Sequence, residues 1–184
     1  PSPNPHVGAL IVKNGKIIGK GFHKKAGLPH AEIEAFNSVK LKSQIFGSTM
    51  YVTLEPCSNY GKTPPCVDAI IKSGIKKLKV SSKDPKNEIN IPSTLKKLGL
   101  DVDFGILKSE SEKLNELFFH NLKNVFPFVS LKVAISKDNK IGLKTKRVKI
   151  TGKKSNIFTH KLRSKYCAIL VGINTILADN PKLT

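Results

Sequence analysis

Apolar residues along this chain come in short runs whose period changes from one segment to the next. Gly8 to Val12 is a continuous apolar run, which predicts a buried strand. Asn14-Gly15 follows it, and both residues tolerate positive φ, so a hairpin turn is expected, with Ile17 to Phe22 as the returning strand. Ala31 to Leu41 carries Ala31, Ala35, Phe36 and Val39 at helical spacing, and Pro29 suits the start of that helix. Thr49 to Leu54 is β-rich and short, a strand. Val67 to Ser73 reads as a helix stopped by Gly74, Leu78 to Ser81 as a strand, and Ser93 to Leu98 as a helix ending at Gly99. Val102 to Leu107 is a further strand. Ser109 to Leu122 reads as one helix with Leu114, Leu117, Phe118 and Leu122 on a single stripe. This alternation of strand and helix predicts an α/β sheet with helices on its faces.

Pro127 breaks the pattern, and a domain boundary is expected near residues 122–127, dividing the chain into 1–122 and 123–184. Beyond it, Phe128 to Ser136 reads as a strand and Lys137 to Lys146 as a polar loop. Ile157 to Tyr166 reads as a helix and Ala168 to Gly172 as a strand, with Cys167 a small core residue beside it. Three elements in so short a segment do not close a core, so the second unit reads as the truncated start of a larger domain.

Composition narrows the field. The chain has 184 residues, 39% of them hydrophobic, which suits a globular protein. Its longest apolar runs are far too short to cross a bilayer, so no membrane association is expected. No secretory signal is visible, although the sequence begins at Pro1 rather than Met and leaves an upstream segment open. Three cysteines argue against a disulfide framework, and thiolates used as ligands require a reducing compartment, the cytoplasm. The net charge of +19 invites a nucleic-acid reading, but only Arg147 and Arg163 among the basic residues are arginine. There is no tryptophan and no interleaving of aromatic with basic residues, so no nucleic-acid partner is expected. The charge is uneven: residues 123–184 hold 14 basic and 2 acidic residues, net +12, which suits a phosphate-bearing ligand.

The candidate chemistry lies in His30-Ala31-Glu32, Pro56-Cys57 and Pro65-Cys66. One imidazole and two thiolates fill three corners of a zinc tetrahedron and leave the fourth for water. Zinc lowers the pKa of such a water, and Glu32 is the carboxylate that would move its protons, which is the layout of a zinc deaminase. His30 and Glu32 are about 200° apart around a regular helix, so they share a pocket only where the helix begins. Cys66 also starts a helix, whose N-terminus is expected to favour the thiolate. His6 and His23 are not placed in a ligand-type pair. Two other readings stay open: a first-turn Glu32 that only favours the helix dipole, and a structural zinc site, which needs a fourth protein ligand. Eight residues separate Cys57 from Cys66, where most nucleoside and nucleic-acid deaminases have two. That longer loop carries Lys62, well placed for a phosphate.

The motifs Asn4-Pro5-His6-Val7-Gly8-Ala9, Pro29-His30-Ala31-Glu32, Thr53-Leu54-Glu55-Pro56-Cys57-Ser58 and Gly61-Lys62-Thr63-Pro64-Pro65-Cys66 resemble the deaminase half of the bifunctional riboflavin-biosynthesis deaminase–reductases. Leu131-Lys132, Ser136, Asp138, Ile150-Thr151-Gly152, Leu162-Arg163, Val171-Gly172 and Leu177-Ala178-Asp179-Asn180-Pro181 resemble the start of the reductase half. The resemblance covers nearly the whole chain. It implies a cytidine-deaminase-like three-layer α/β/α domain followed by the beginning of a dihydrofolate-reductase-like α/β domain.

The implied reaction is deamination of 2,5-diamino-6-(5-phosphoribosylamino)pyrimidin-4-one, a small phosphorylated pyrimidine, with NADPH-dependent reduction of the ribosyl chain as the second activity. By motif, Asn4, His23, Asn59 and Lys62 would contact the first substrate. Ala134, Lys149, Thr175 and Asp179 would lie toward NADPH, with Arg163 and Leu183 toward the second substrate. A homo-oligomer is also implied. Three positions depart from the family pattern. Asn59 stands where histidine is usual and carries no charge. Lys149 stands where tryptophan is usual, which removes a flat packing surface beside Arg147. Asn139 replaces a glycine and tolerates the same turn. Family members carry a helix before Asn4 and a glycine-rich phosphate-binding part beyond residue 184, so these residues alone are not expected to complete an NADPH site. The alternatives are a nucleoside or nucleic-acid base deaminase of the same fold and a non-catalytic structural zinc domain.

Overall fold

A computed structural model describes residues 4–87, 91–143 and 148–183. Arg147, Thr184 and residues 144–146 of the expected polar loop lie outside the described residues. The chain divides into two compact units, Pro1–Phe128 and Val129–Thr184.

The first unit is built on a five-stranded sheet of order β2-β1-β3-β4-β5. Its strands are β1 (Gly8–Lys13), β2 (Lys16–Phe22), β3 (Thr49–Leu54), β4 (Lys77–Ser82) and β5 (Asp101–Phe104). β1 runs antiparallel to β2 and β3, while β3, β4 and β5 are parallel. The β1–β2 turn has Asn14 at φ 49° and Gly15 at φ 71°, as that dipeptide predicts. The helices of this unit are α1 (Ala31–Ser38), α2 (Cys66–Ser73), α3 (Ile91–Lys97), α4 (Lys108–Leu114) and α5 (Glu116–Lys123). A single 3-10 turn, Lys42–Ile45, separates α1 from β3.

Period-two alternation sends one row of each strand into the core. Ile11, Met50, Leu78 and Val102 stand side by side in register, with Ala9, Val52 and Val80 in the next row. They meet Ala31 and Ala35 of α1, Val67 and Ile70 of α2 and Leu95 of α3. Each of the larger side chains contributes about 1.5–3 kcal/mol by leaving water. The other face carries the mixed row Lys20, Leu10, Tyr51, Lys79 and Asp103. α1 lies close on β2 because β2 offers glycines there: a Cβ on Gly21 would stand 2.3 Å from the Ala35 backbone nitrogen and 2.4 Å from the Ala31 oxygen.

Several boundaries differ from expectation. α1 ends at Ser38, short of Leu41. β5 stops at Phe104 because Gly105 and then Leu107 turn left-handed, at φ 97° and 50°. The expected helix from Ser109 to Leu122 is two helices broken at Asn115, whose φ is −112°. Its inward face is not the leucine stripe: Ser111, Asn115 and Phe119 are buried, while Leu114 and Leu122 are exposed. Polar residues occupy the inside there because they bond backbone: Asn115 the His6 N–H and carbonyl, and Ser111 the Thr53 carbonyl.

The second unit contains α6 (Lys153–Arg163) and α7 (Ile173–Asp179), the latter not anticipated from the pattern. The segments 128–136 and 168–172 form no strand among the described residues. A strand exists only with a ladder partner, and neither segment has one, so Leu131 and Leu170 stand 88% and 97% exposed. Cys167, expected in a core, is exposed for the same reason. Asn139 does take the turn expected of it, at φ 58°, with its N–H bonded to the Ser136 carbonyl at 3.0 Å.

Candidate metal centre and cavity

The parallel half of the sheet directs its carboxyl ends toward two helix starts, an arrangement in which loops converge on one spot. Cys57 lies three residues past β3, on the loop before α2. Cys66 is the first residue of α2, after Pro65 in extended backbone, and His30 is the N-cap of α1, at φ −71° and ψ 165°. The extended conformation at His30 turns its ring away from the helix axis, which lets Glu32 enter the same pocket.

The His30 Nδ1 atom lies 3.4 Å from the Cys57 Sγ and 3.3 Å from the Cys66 Sγ, and the three atoms are within 4.8 Å of one another. Tetrahedral zinc, with bonds near 2.3 Å to sulfur and 2.05 Å to nitrogen, holds such atoms about 3.6 Å apart. The donor set and its spacing therefore fit that ion. No fourth His, Cys, Asp or Glu joins the group among the described residues. The Nε2 atom of His30 faces the Thr63 hydroxyl at 3.3 Å, which leaves Nδ1 free to ligate. The Cys66 N–H points at the Cys57 sulfur, 3.4 Å away.

The ionisable groups of the pocket act strongly on one another. Hydrogen bonding from Cys66 and then from His30 lowers Cys57 to about 4. Cys66 is raised, because its proton is shared with Cys57 and because burial and the Glu32 carboxylate oppose a second negative charge. The Cys57 hydrogen bond also raises His30. Glu32 is 3% exposed, and burial pushes its carboxyl up to about 7.

These groups open on a cavity of about 530 Å³ whose wall includes Asn4, His23, Asn59 and Lys62 as well as His30, Glu32 and Cys57. His23 is buried, with the Asn4 amide 2.9 Å from its Nε2 and the Pro29 carbonyl 3.2 Å from its Nδ1. Its ring meets His30 edge-on at 5.3 Å. Asn59 and Lys62 are exposed on the rim.

Asp84, Lys86, Asn87 and Phe118 also line the cavity and were not singled out from the sequence. Glu55, 6% exposed, holds their loop by accepting the Asp84 N–H at 3.1 Å. Its place beside Pro56-Cys57 was the only signal that could have flagged it. In the second unit, Ala134 lies in the extended stretch and Lys149 is exposed before α6. Arg163 ends α6, Thr175 and Asp179 sit one turn apart on α7, and Leu183 is 41% exposed beyond it.

Comparison with known proteins agrees with this geometry. The cytidine and deoxycytidylate deaminase zinc-binding region matches residues 1–82, and the RibD C-terminal domain matches residues 127–184. The riboflavin biosynthesis protein RibD of Aquifex aeolicus is 46% identical over 99% of this chain and 51% of its own length. The diaminohydroxyphosphoribosylamino-pyrimidine deaminase of Buchnera aphidicola (Schizaphis graminum) is 49% identical over 68% of this chain and 86% of its own length. Among solved structures, the deaminase/reductase of Thermotoga maritima superposes with a TM-score of 0.89 at 44% identity, covering 99% of this chain and 53% of that one. The chain spans about half the length of the RibD relatives it matches. By these likenesses, and by the His, Cys and Cys that meet beside a buried glutamate, the chain belongs to the family of riboflavin-biosynthesis deaminase–reductases.

Proposed function

We propose that the domain formed by residues 1–122 hydrolytically deaminates 2,5-diamino-6-(5-phosphoribosylamino)pyrimidin-4-one in riboflavin biosynthesis. The observation that carries this reading is the convergence of three ligand atoms within 4.8 Å beside a buried, non-ligating Glu32. His30, Cys57 and Cys66 would hold zinc, which supplies Lewis acidity and lowers the pKa of water. Glu32 carries a proton from the attacking water to the exocyclic amine. The ring carbon gains the water oxygen, its bond to nitrogen breaks, and ammonia leaves. Asn4 and His23 orient the base, while Lys62 and Asn59 receive the phosphoribosyl end at the exposed rim. Residues 123–184 begin the reductase. Ala134, Lys149, Thr175 and Asp179 are assigned there toward NADPH, and Arg163 and Leu183 toward the second substrate. We place the protein in the reducing cytoplasm, where thiolate ligands persist, as a homo-oligomer. No described helix is long and apolar enough to cross a membrane.

The test is ammonia release by the zinc-loaded chain from this pyrimidine, from cytidine and from tRNA. Turnover confined to the phosphorylated pyrimidine is expected. Turnover of tRNA or cytidine instead would move the chain to a base deaminase of the same fold. A Glu32→Gln variant is expected to keep its zinc and lose about 10²–10⁴ in kcat, and full activity in that variant would remove Glu32 as the proton carrier.

A further inference from the structure

The wall of the cavity opposite the cysteines is a stretch of chain with little ladder of its own. Residues 5–7 are extended but belong to no strand, yet Asn4, Pro5 and Val7 all line the cavity. The Val7 carbonyl accepts the His23 N–H at 2.9 Å, and a second tie comes from 109 residues away in the sequence. The Asn115 Oδ1 accepts the His6 N–H at 2.7 Å, and the Asn115 Nδ2 donates to the His6 carbonyl at 2.9 Å. Asn115 is 2% exposed. A single side-chain amide thus makes the donor–acceptor pair that a neighbouring strand would make.

The primary amide of asparagine carries a donor and an acceptor side by side on one planar group, and its short arm suits a backbone this close. The helix break aims it: Asn115 leaves helical geometry between α4 and α5, so its side chain points inward where a leucine stripe would have been expected. The same corner is tied to the rest of the site. Ser111, one turn earlier, donates to the Thr53 carbonyl at 2.5 Å, close to Cys57 in the chain, and Phe118 lines the cavity.

We propose that Asn115 is a positioning residue for substrate binding, acting through the His6 backbone to hold Asn4 at the cavity wall. The inference rests on the proposed reading of that cavity as the deaminase substrate site. Asn4 is aimed by its amide contact to His23, 2.9 Å, and a slip of the segment by about an ångström would take it out of register with a bound base.

The test compares, in the full chain, Asn115→Ala, which removes both bonds to His6, and Asn115→Asp, which keeps an acceptor for the His6 N–H and replaces the amide donor with a carboxylate oxygen. KM for the pyrimidine is expected to rise about tenfold in each, with kcat and zinc content within about twofold of the unaltered chain. Combined with Asn4→Ala, the Asn115 changes are expected to add less than about twofold further, because they act through the same contact. The His6 amide is expected to exchange with solvent at least about tenfold faster in Asn115→Ala, which removes its acceptor, while Val80 in β4 keeps its protection. Independent, additive effects of the Asn4 and Asn115 changes would overturn the proposal. So would a loss of kcat together with zinc at unchanged KM. An unaltered chain that releases no ammonia counts against the proposed reaction and not against Asn115; the exchange measurement then decides, and a His6 amide as slow in Asn115→Ala as in the parent overturns the role.

Discussion

The two units use similar apolar patterns and end in opposite states. In the first, Ile11, Met50, Ile70, Leu78 and Val80 are fully buried between the sheet and helices. In the second, Val129, Leu131, Val133 and Ile135 alternate just as regularly and stand at 82%, 88%, 49% and 56% exposure. None of the described residues of the second unit is buried. The difference teaches that alternation reports a strand's readiness to bury one face and not that a partner is there. The first unit has five mutually paired strands; the second has helices and unpaired extended segments. The chemistry follows the same division, since a metal pocket needs ligands held by rigid elements, and among the described residues His30, Cys57 and Cys66 of the first unit are so placed.

The contrast can be broken at several points. The largest effect is expected at the cysteines. Cys66→Ser should abolish stoichiometric zinc binding and reduce ammonia release by more than about 10³-fold, while Cys167→Ser in the second unit changes neither. Metal analysis and turnover on both variants decide this. Chelation should likewise stop ammonia release, and added zinc should restore it; activity that survives a metal-free preparation would sink the zinc reading.

Packing gives the next effect. Leu78→Ala should destabilise the first unit by about 2–5 kcal/mol in urea unfolding, because it opens a cavity under the sheet. Leu131→Ala should stay within about 0.5 kcal/mol. Equal losses would mean that the second unit has a core after all. A smaller effect is expected from Gly21→Ala. The added Cβ presses on the α1 backbone and should cost about 1–3 kcal/mol, and it should also lower turnover by shifting the helix that carries Glu32. Unchanged stability and turnover would show that α1 can retreat without disturbing the site.

Much of the first unit was legible in sequence because its signals are local. Asn14-Gly15 needs only its own φ angles, and Gly74 stops α2 by adopting φ 73°. Strand β3 coincides with the Thr49 to Leu54 run because β-branched and aromatic residues, bounded by polar ones, leave one reading. The metal set was legible because three ligand-type residues, each near a helix start or strand end, carry chemistry in their identity. Asn115 was not legible. Between Leu114 and Leu117 it looks like a polar residue on an outward helix face, and only its distant partner His6 explains its burial. Glu55 and Asp84 escaped for the same reason, since a loop-to-loop hydrogen bond leaves no periodicity.

Sequence alone determined the order of elements in the first unit, the hairpin, and the residue types able to hold a metal and move a proton, because propensity and donor chemistry belong to single residues and near neighbours. Tertiary structure decided which face of the broken α4–α5 pair turns inward and which extended segments become strands. Each of those depends on a partner far away in the chain: a backbone in need of hydrogen bonds at His6, and, for each strand of the first unit, a neighbouring strand to pair with.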